Sequence, residues 1–368
     1  MSGRSGVTGS PWRVPGRTPR RRLLNVLVVG PVILGAVLVG CSGGNEARGG
    51  NEARGDAADD TRSTVVPRGA PLDVETDFPA SLVALPNGAL LVGELATGKI
   101  LRLSEIAGSG SGSGSGALGV GRSEVVAVLP VAPDGGFPLQ VGLTGLATDP
   151  SGARIFAAWV RGSDNRMVVS EVVGESRREV WVGPAAATQA SGGRLVWWRG
   201  RLVLSIGDRL QRRTADPPMD DLRSALVSLD PDGEKSQQPR IVSTDWNNPF
   251  AVAVDGSDRL LVADNVPKDG PERLGVTTEA GATVVSDLGS GDEHIAPAGM
   301  LELRPGVAWI CGWISGVVTE VPIAPDGMAR WADRTDRADI PCSLDAVRLS
   351  DGRVAVSTDS QVRIVTPR

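Results

Sequence analysis

A single histidine, His294, occurs in 368 residues, in the segment Asp292-Glu293-His294-Ile295-Ala296-Pro297-Ala298-Gly299. An imidazole is the side chain whose ordinary pKa best suits it to move protons near neutrality. Asp292 or Glu293 beside it, or Asp208 at the end of TQASGGRLVWWRGRLVLSIGD (188–208), could orient such a base. Other chemistries fare worse. A Ser-His-Asp hydrolase would need a GxSxG elbow, which is missing. Asp230-Pro231-Asp232-Gly233 starts like a calcium loop but lacks the later ligands and the closing Glu, so it reads as a hairpin turn. Asp220-Asp221 would serve glycoside hydrolysis only with an opposed carboxylate, and reads as a solvated loop.

Export is written into the first forty residues. Arg20, Arg21 and Arg22 precede an apolar run from Leu23 to Val39 that ends in Leu38-Val39-Gly40-Cys41, the pattern of a secretory leader. The small residue before Cys41 resembles the lipobox of bacterial lipoproteins, which implies a lipid on the Cys41 thiol after cleavage of residues 1–40. Pro19-Arg20-Arg21-Arg22-Leu23-Leu24-Asn25 also resembles a twin-arginine signal, in which two Arg are followed by any residue and two apolar ones. High Arg and Ala with few Lys look like a chain from a GC-rich genome, and with the lipobox like an actinobacterial envelope lipoprotein. The expected location is the outer face of the cytoplasmic membrane, held by lipid rather than by a polybasic surface. Losing the leader removes six Arg and no acid, so the formal charge moves from −5 to about −11. Such an acidic chain excludes nucleic acid as a partner. With Cys41 lipidated, Cys311 and Cys342 remain; in an oxidising compartment they can form a disulfide, or stay as two separate thiols. Their spacing fits no metal site.

Residues 41–72, with the repeat NEARGG and NEARGD, have almost no apolar periodicity and read as a tether. The run GSGSGSGSG (108–116) reads as a surface loop. Elsewhere one unit recurs: an apolar strand, a turn, a second apolar strand, then a small or acidic residue. The copies are LVALPNGALLVGE (82–94), GLATDPSGARIFAAW (145–159), RLVWWRGRLVLSIGD (194–208), AVAVDGSDRLLVADN (251–265), MLELRPGVAWICGW (300–313) and AVRLSDGRVAVSTD (346–359). Their turn glycines stand 46 to 64 residues apart. Six copies at that period predict an all-β, six-bladed β-propeller over residues 73–368, with outer strands at 99–104, 167–173, 225–230 and 317–323. Seven blades would require another at 118–130, and a sandwich would space its strands more evenly.

Propeller ligands sit where loops of several blades converge on the axis, so the repeat ends carry the candidate sites. In order, they read Gly145-Leu146-Ala147, Gly192-Gly193-Arg194-Leu195, Ile206-Gly207-Asp208, Leu229-Asp230-Pro231-Asp232-Gly233 and Asn248-Pro249. Over residues 140–300 this series resembles the soluble, pyrroloquinoline-quinone-dependent glucose/sorbosone dehydrogenases, which are six-bladed propellers. That family uses a histidine in HNGGRL as base, oriented by the aspartate of a GD strand end, while hydride passes to the quinone. Here Asp208 keeps the orienter, but Ala190-Ser191-Gly192-Gly193 replaces HNGG, and an alanine accepts no proton. The family's RNP reads Asn247-Asn248-Pro249, a motif lysine has become Ala225, and the calcium loop EQGP corresponds to Asn265-Val266-Pro267. Backbone carbonyls of Val266 and Pro267 could still offer oxygen to calcium. His294 falls in a segment resembling the family's HxAPxG.

These observations predict a lipid-anchored envelope propeller with an altered, non-catalytic centre that binds a carbohydrate or an envelope protein, without cofactor. The alternative is an active sugar dehydrogenase with quinone and calcium, using Asp208 and His294. Expected ligand contacts are Arg194, Asn248 and Trp246, a tryptophan at the mouth being able to stack on a sugar ring. Trp159, Trp197 and Trp309, inside strands, read as blade packing.

Overall fold

The computed structural model describes residues 72–104, 122–132, 141–174, 176–209, 221–267, 270–277 and 282–367, all within the unit Arg62–Arg368. The expected leader, Cys41, the tether up to residue 71 and the Gly-Ser run lie outside the described residues. Leu72, placed by sequence at the end of the tether, opens a strand.

Six four-stranded antiparallel sheets form the blades of a propeller, and no α-helix occurs among the described residues. The innermost strands of blades one to six are Pro79–Ala84, Leu143–Thr148, Gly192–Trp198, Ala251–Val254, Pro297–Arg304 and Ala346–Arg348. Each is the first half of a repeat hairpin, so the pattern that predicted the fold marks the strands nearest the axis. The expected outer strands appear as Lys99–Ser104, Arg166–Val173, Ala225–Leu229 and Val317–Pro322. Arg122–Val128, within the segment that a seventh blade would have used, is instead the outermost strand of blade one, paired with Lys99–Ser104. Blade six is completed from the other end of the chain: Leu72–Glu75 pairs with Gln361–Val365, and Arg363 forks onto Asp73 at 2.6 and 2.9 Å.

Most hairpin turns place their glycine in the left-handed region, as at Gly88 (φ 84°) and Gly200 (φ 73°), where a side chain would be strained. Blade four differs: Asp258 (φ 59°), rather than Gly256, takes that conformation. The cause is local. Asp255 Oδ1 accepts from the amides of Ser257 (2.9 Å) and Arg259 (2.8 Å) and fixes the turn. The Gly256 amide is then left to donate to Glu302 of blade five at 2.6 Å.

Sheets pack face to face through apolar side chains, as in the cluster of Phe156, Trp181, Leu202 and Leu204 between blades two and three. Trp159 and Trp309 are fully buried, each with its indole nitrogen satisfied by Ser170 (3.2 Å) or Glu320 (3.0 Å). The Cys311–Cys342 disulfide, with Cα atoms 5.0 Å apart, joins the second strand of blade five to the entry of blade six.

Arg194 occupies the axis, and its placement corrects the expectation of a ligand contact. Its side chain is buried. Nε donates to the Phe250 carbonyl (2.9 Å), Nη1 to Ala80, and Nη2 to Ala298 and to Leu344 (2.7 Å). One guanidinium on blade three therefore ties itself to blades one, four, five and six. The Phe250 ring lies 4.6 Å beneath it and Asp345 stands 3.5 Å away as counterion. Burial pushes the Asp345 carboxyl up and the Arg194 guanidinium down, and each charge partly offsets the shift of the other. Removing one partner of a buried pair leaves the other uncompensated, which costs about 3–5 kcal/mol. Arg194→Met is expected to lower the unfolding free energy by about that amount, measured by urea denaturation; a loss below about 1 kcal/mol would contradict the assignment of Arg194 as the axial tie.

Candidate functional site

All innermost strands start on one face of the propeller, and the loops that enter them over blades three to five surround a cavity of about 680 Å³. Its wall contains Gln189 and Ala190 before blade three, Asn247 and Asn248 before blade four, and His294 and Ala296 before blade five. Asn265, Val266 and Pro267, beyond the second strand of blade four, and Trp313 and Ile314, beyond that of blade five, complete it. Of the positions singled out by sequence, Ala190, Asn247, Asn248, Asn265, Val266, Pro267 and His294 meet at this pocket, whereas Leu146, Ala147, Arg194 and Leu195 line a separate axial cavity of about 370 Å³.

Two glycines of the retained motifs bring the strands close enough to build it. A side chain on Gly145 would meet the backbone of Gly193 and Leu195, and one on Gly193 (φ 106°) would meet Thr144. Gly145 and Gly193 therefore let blades two and three touch backbone to backbone, which carries Arg194 to the axis. These motif positions are structural.

Buried carboxylates fix the loops. Asp264, fully buried at the end of its strand, accepts from the amides of Asn247 (2.9 Å) and Asn248 (2.7 Å) and pairs with Arg273. Burial raises its pKa, with the charge of Arg273 the largest opposing influence. Glu272 likewise accepts from Ile295 (2.9 Å) and Ala296 (2.7 Å), which holds the segment carrying His294. Its pKa is also raised by burial, against those two bonds and the nearby His294. Glu272 had no motif to announce it; the only signal was an acid next to a strand in an otherwise apolar repeat.

Asp208 and His294 lie on the same face but are not joined. Asp208 Oδ2 accepts from Asn247 Nδ2 at 2.6 Å, and its amide donates to the Asn247 carbonyl. It therefore stands behind the pocket wall. His294 Nε2 lies 2.7 Å from the Gly270 carbonyl, so that nitrogen carries the proton and Nδ1 is left as the acceptor. Ala190, in the left-handed region at φ 51°, presents only a methyl group to the cavity.

Asn248 was expected to touch ligand, and it does line the pocket. Its Oδ1 accepts from the Gly192 amide at 3.2 Å, and its Nδ2 donates to none of the described residues. Trp246 is corrected. Its indole is buried, donates to Ser243 Oγ at 2.9 Å, and lies against Gly275 under the Arg273 guanidinium, so no face is open to a sugar. The half-buried tryptophan of the pocket is Trp313, tilted against Phe78 with ring centroids 6.0 Å apart. It ends the fifth repeat, where the repeat-end rule could have found it.

The calcium donors are weakened as well. The Pro267 carbonyl accepts from the Gly270 amide at 2.8 Å in a turn. Among the described residues, no cluster of three or more His, Cys, Asp or Glu is placed to hold a metal.

Because Glu272 has a raised pKa in the fold, its contribution to stability is fully present below its ordinary value near 4.5 and declines as pH rises through the folded value. Glu272→Gln removes that titration. The stability of the wild type relative to E272Q is expected to fall between pH 4.5 and pH 8 in urea denaturation; a difference that is flat or rises with pH would be the wrong sign.

No family model matches the chain, and no curated protein matches it. Solved structures do. One is a putative oxidoreductase (glucose dehydrogenase) from Thermus thermophilus, with 19% identity over 80% of this chain and 100% of that one and a TM-score of 0.62. Another is the aldose sugar dehydrogenase of Streptomyces coelicolor in its quinone-bound form, with 18% identity over 82% and 99% and a TM-score of 0.59. The quinone domain of Coprinopsis cinerea pyranose dehydrogenase has 15% identity over 82% and 98% and a TM-score of 0.57. The chain therefore has the six-bladed propeller fold seen in quinoprotein sugar dehydrogenases.

Proposed function

We propose that this chain is an exported, lipid-anchored propeller that binds an uncharged polyhydroxylated ligand, of the carbohydrate class, in the entry-face pocket without oxidising it. The observation that carries the reading is the pocket wall itself. Gln189, Asn247, Asn248 and Asn265 share this wall with Trp313, the Asn247 amide being already bonded to Asp208. Carboxamides donate and accept at once, which suits neighbouring hydroxyl groups, and an indole face covers the C–H face of a sugar ring. Ala190 stands where the resemblance calls for the base.

The quinone cofactor fits this wall poorly. Pyrroloquinoline quinone is a tricarboxylate, and the described residues lining the pocket include Asp292 but neither Arg nor Lys. Among the described residues an anion of that charge would find no Arg or Lys as counterion there.

One observation favours a second reading, an active sugar dehydrogenase: His294 lies on the pocket, on the face that holds Asp208. Its unprotonated Nδ1 would be the base. A single experiment separates the two readings. Protein incubated with calcium and pyrroloquinoline quinone is titrated with aldoses and their oligomers, following tryptophan fluorescence and dye reduction. Binding without dye reduction is expected, and Trp313→Ala should weaken it by about tenfold or more, on the scale of a lost aromatic stack. Aldose-dependent turnover would establish the dehydrogenase instead.

The anchoring is tested separately. Cys41→Ala is expected to move the protein from the membrane fraction to the soluble fraction, since one thioether-linked lipid carries the attachment. Retention of the variant on membranes would count against a lipid anchor.

A further inference from the structure

A second polar cavity, of about 270 Å³, lies between the outer edge of blade two and blade three. Arg166, Arg209, Arg223 and Lys235 line it, and Asp221 is the one acid among the described residues that do. Asp221 is already matched, since Arg223 forks onto it at 2.8 and 2.6 Å. The other guanidiniums are aimed by backbone: Arg166 Nε donates to Gly183 (2.7 Å) and Arg209 Nη1 to Ala185 (2.9 Å). Arg209 carries two further marks. Its backbone is in the left-handed region at φ 55°, a strained state for a non-glycine residue. Its Nε is buried with no hydrogen-bond partner among the described residues, a costly state for a charged donor.

On a chain with a formal charge of −5, a hollow whose described lining residues carry three more cations than anions favours an anionic ligand. We propose that this cleft binds a phosphate group, either inorganic phosphate or a phosphate monoester. A tetrahedral oxyanion presents acceptors in several directions, as planar guanidiniums on one strand and two loops require, and its charge offsets most of the surplus. The mutual repulsion of Arg209 and Arg223, which together with burial holds the Arg209 pKa below its usual value, would be relieved by an anion between them. Ser236 and Gln238 on the same wall supply neutral donors.

The test is calorimetric titration of the full chain with inorganic phosphate and with glycerol 3-phosphate, in chloride buffer at constant ionic strength. Saturable binding of at least one is expected, weakened by about tenfold or more in Arg209→Gln, as for loss of a charge-assisted bond. Lys235→Ala should weaken it also; Lys235 is exposed, so this variant keeps the test valid if R209Q misfolds. Tighter glycerol 3-phosphate identifies a monoester, and equal or tighter inorganic phosphate identifies the free anion. Trp313→Ala, at the other pocket, should leave both titrations unchanged. The proposal fails if neither probe saturates, or if both cleft variants bind like the wild type.

Discussion

Five blades meet on one guanidinium. Arg194 is the only polar side chain that donates to carbonyls of blades one, four, five and six at once, among the described residues. A propeller has no central layer of its own; each sheet packs on its neighbours, and the innermost strands diverge around the axis. Carbonyls that turn inward there would be buried without donors, each at a cost of about 1–3 kcal/mol. Arg194 answers four of them and takes its charge balance from Asp345. Everything nearer the rim can vary so long as that centre is kept, and the glycines beside it, Gly145 and Gly193, are what permit the approach.

The same division separates the lining of the entry-face pocket from what holds the fold. The residues that frame the pocket are Asp264 and Glu272, buried and bonded to backbone amides. The residues that face the cavity, Gln189, Ala190 and Asn265 among them, bear little of that framework. A methyl group at Ala190 changes the available chemistry without loosening any strand, whereas a change at Asp264 would release two amides and Arg273 together.

Much of this was legible in the sequence, and the parts that were not share a physical cause. The inner strands announced themselves because both their faces are buried, which leaves long apolar runs closed by a turn. Outermost strands such as Arg122–Val128 and Arg240–Thr244 bury neither face fully and mix polar with exposed apolar residues, so no alternation marks them. The repeat-end rule brought Asn248 to the pocket, and the uniqueness of the histidine marked His294. That rule could not rank Trp246 against Trp313, because burial of an indole under Arg273 depends on a strand of the same blade some thirty residues away. Arg194 was misread for a related reason. Its partners are backbone carbonyls, which exist at every position and leave no trace in residue identity.

The pairing of Leu72–Glu75 with Gln361–Val365 has a mechanical and a temporal meaning. Blade six holds only three of its strands until the two ends of this domain come together across 290 positions, the separation of Asp73 and Arg363. Contacts so distant in sequence are slow to form, so the ring shuts late, and the strand Leu72–Glu75 is among the last to dock. Once shut, the ladder is also where any tension applied upstream of Leu72 enters the domain. A pull upstream of Leu72 is borne first by four residue pairs and the Asp73–Arg363 fork, which makes this short edge the fuse of the structure.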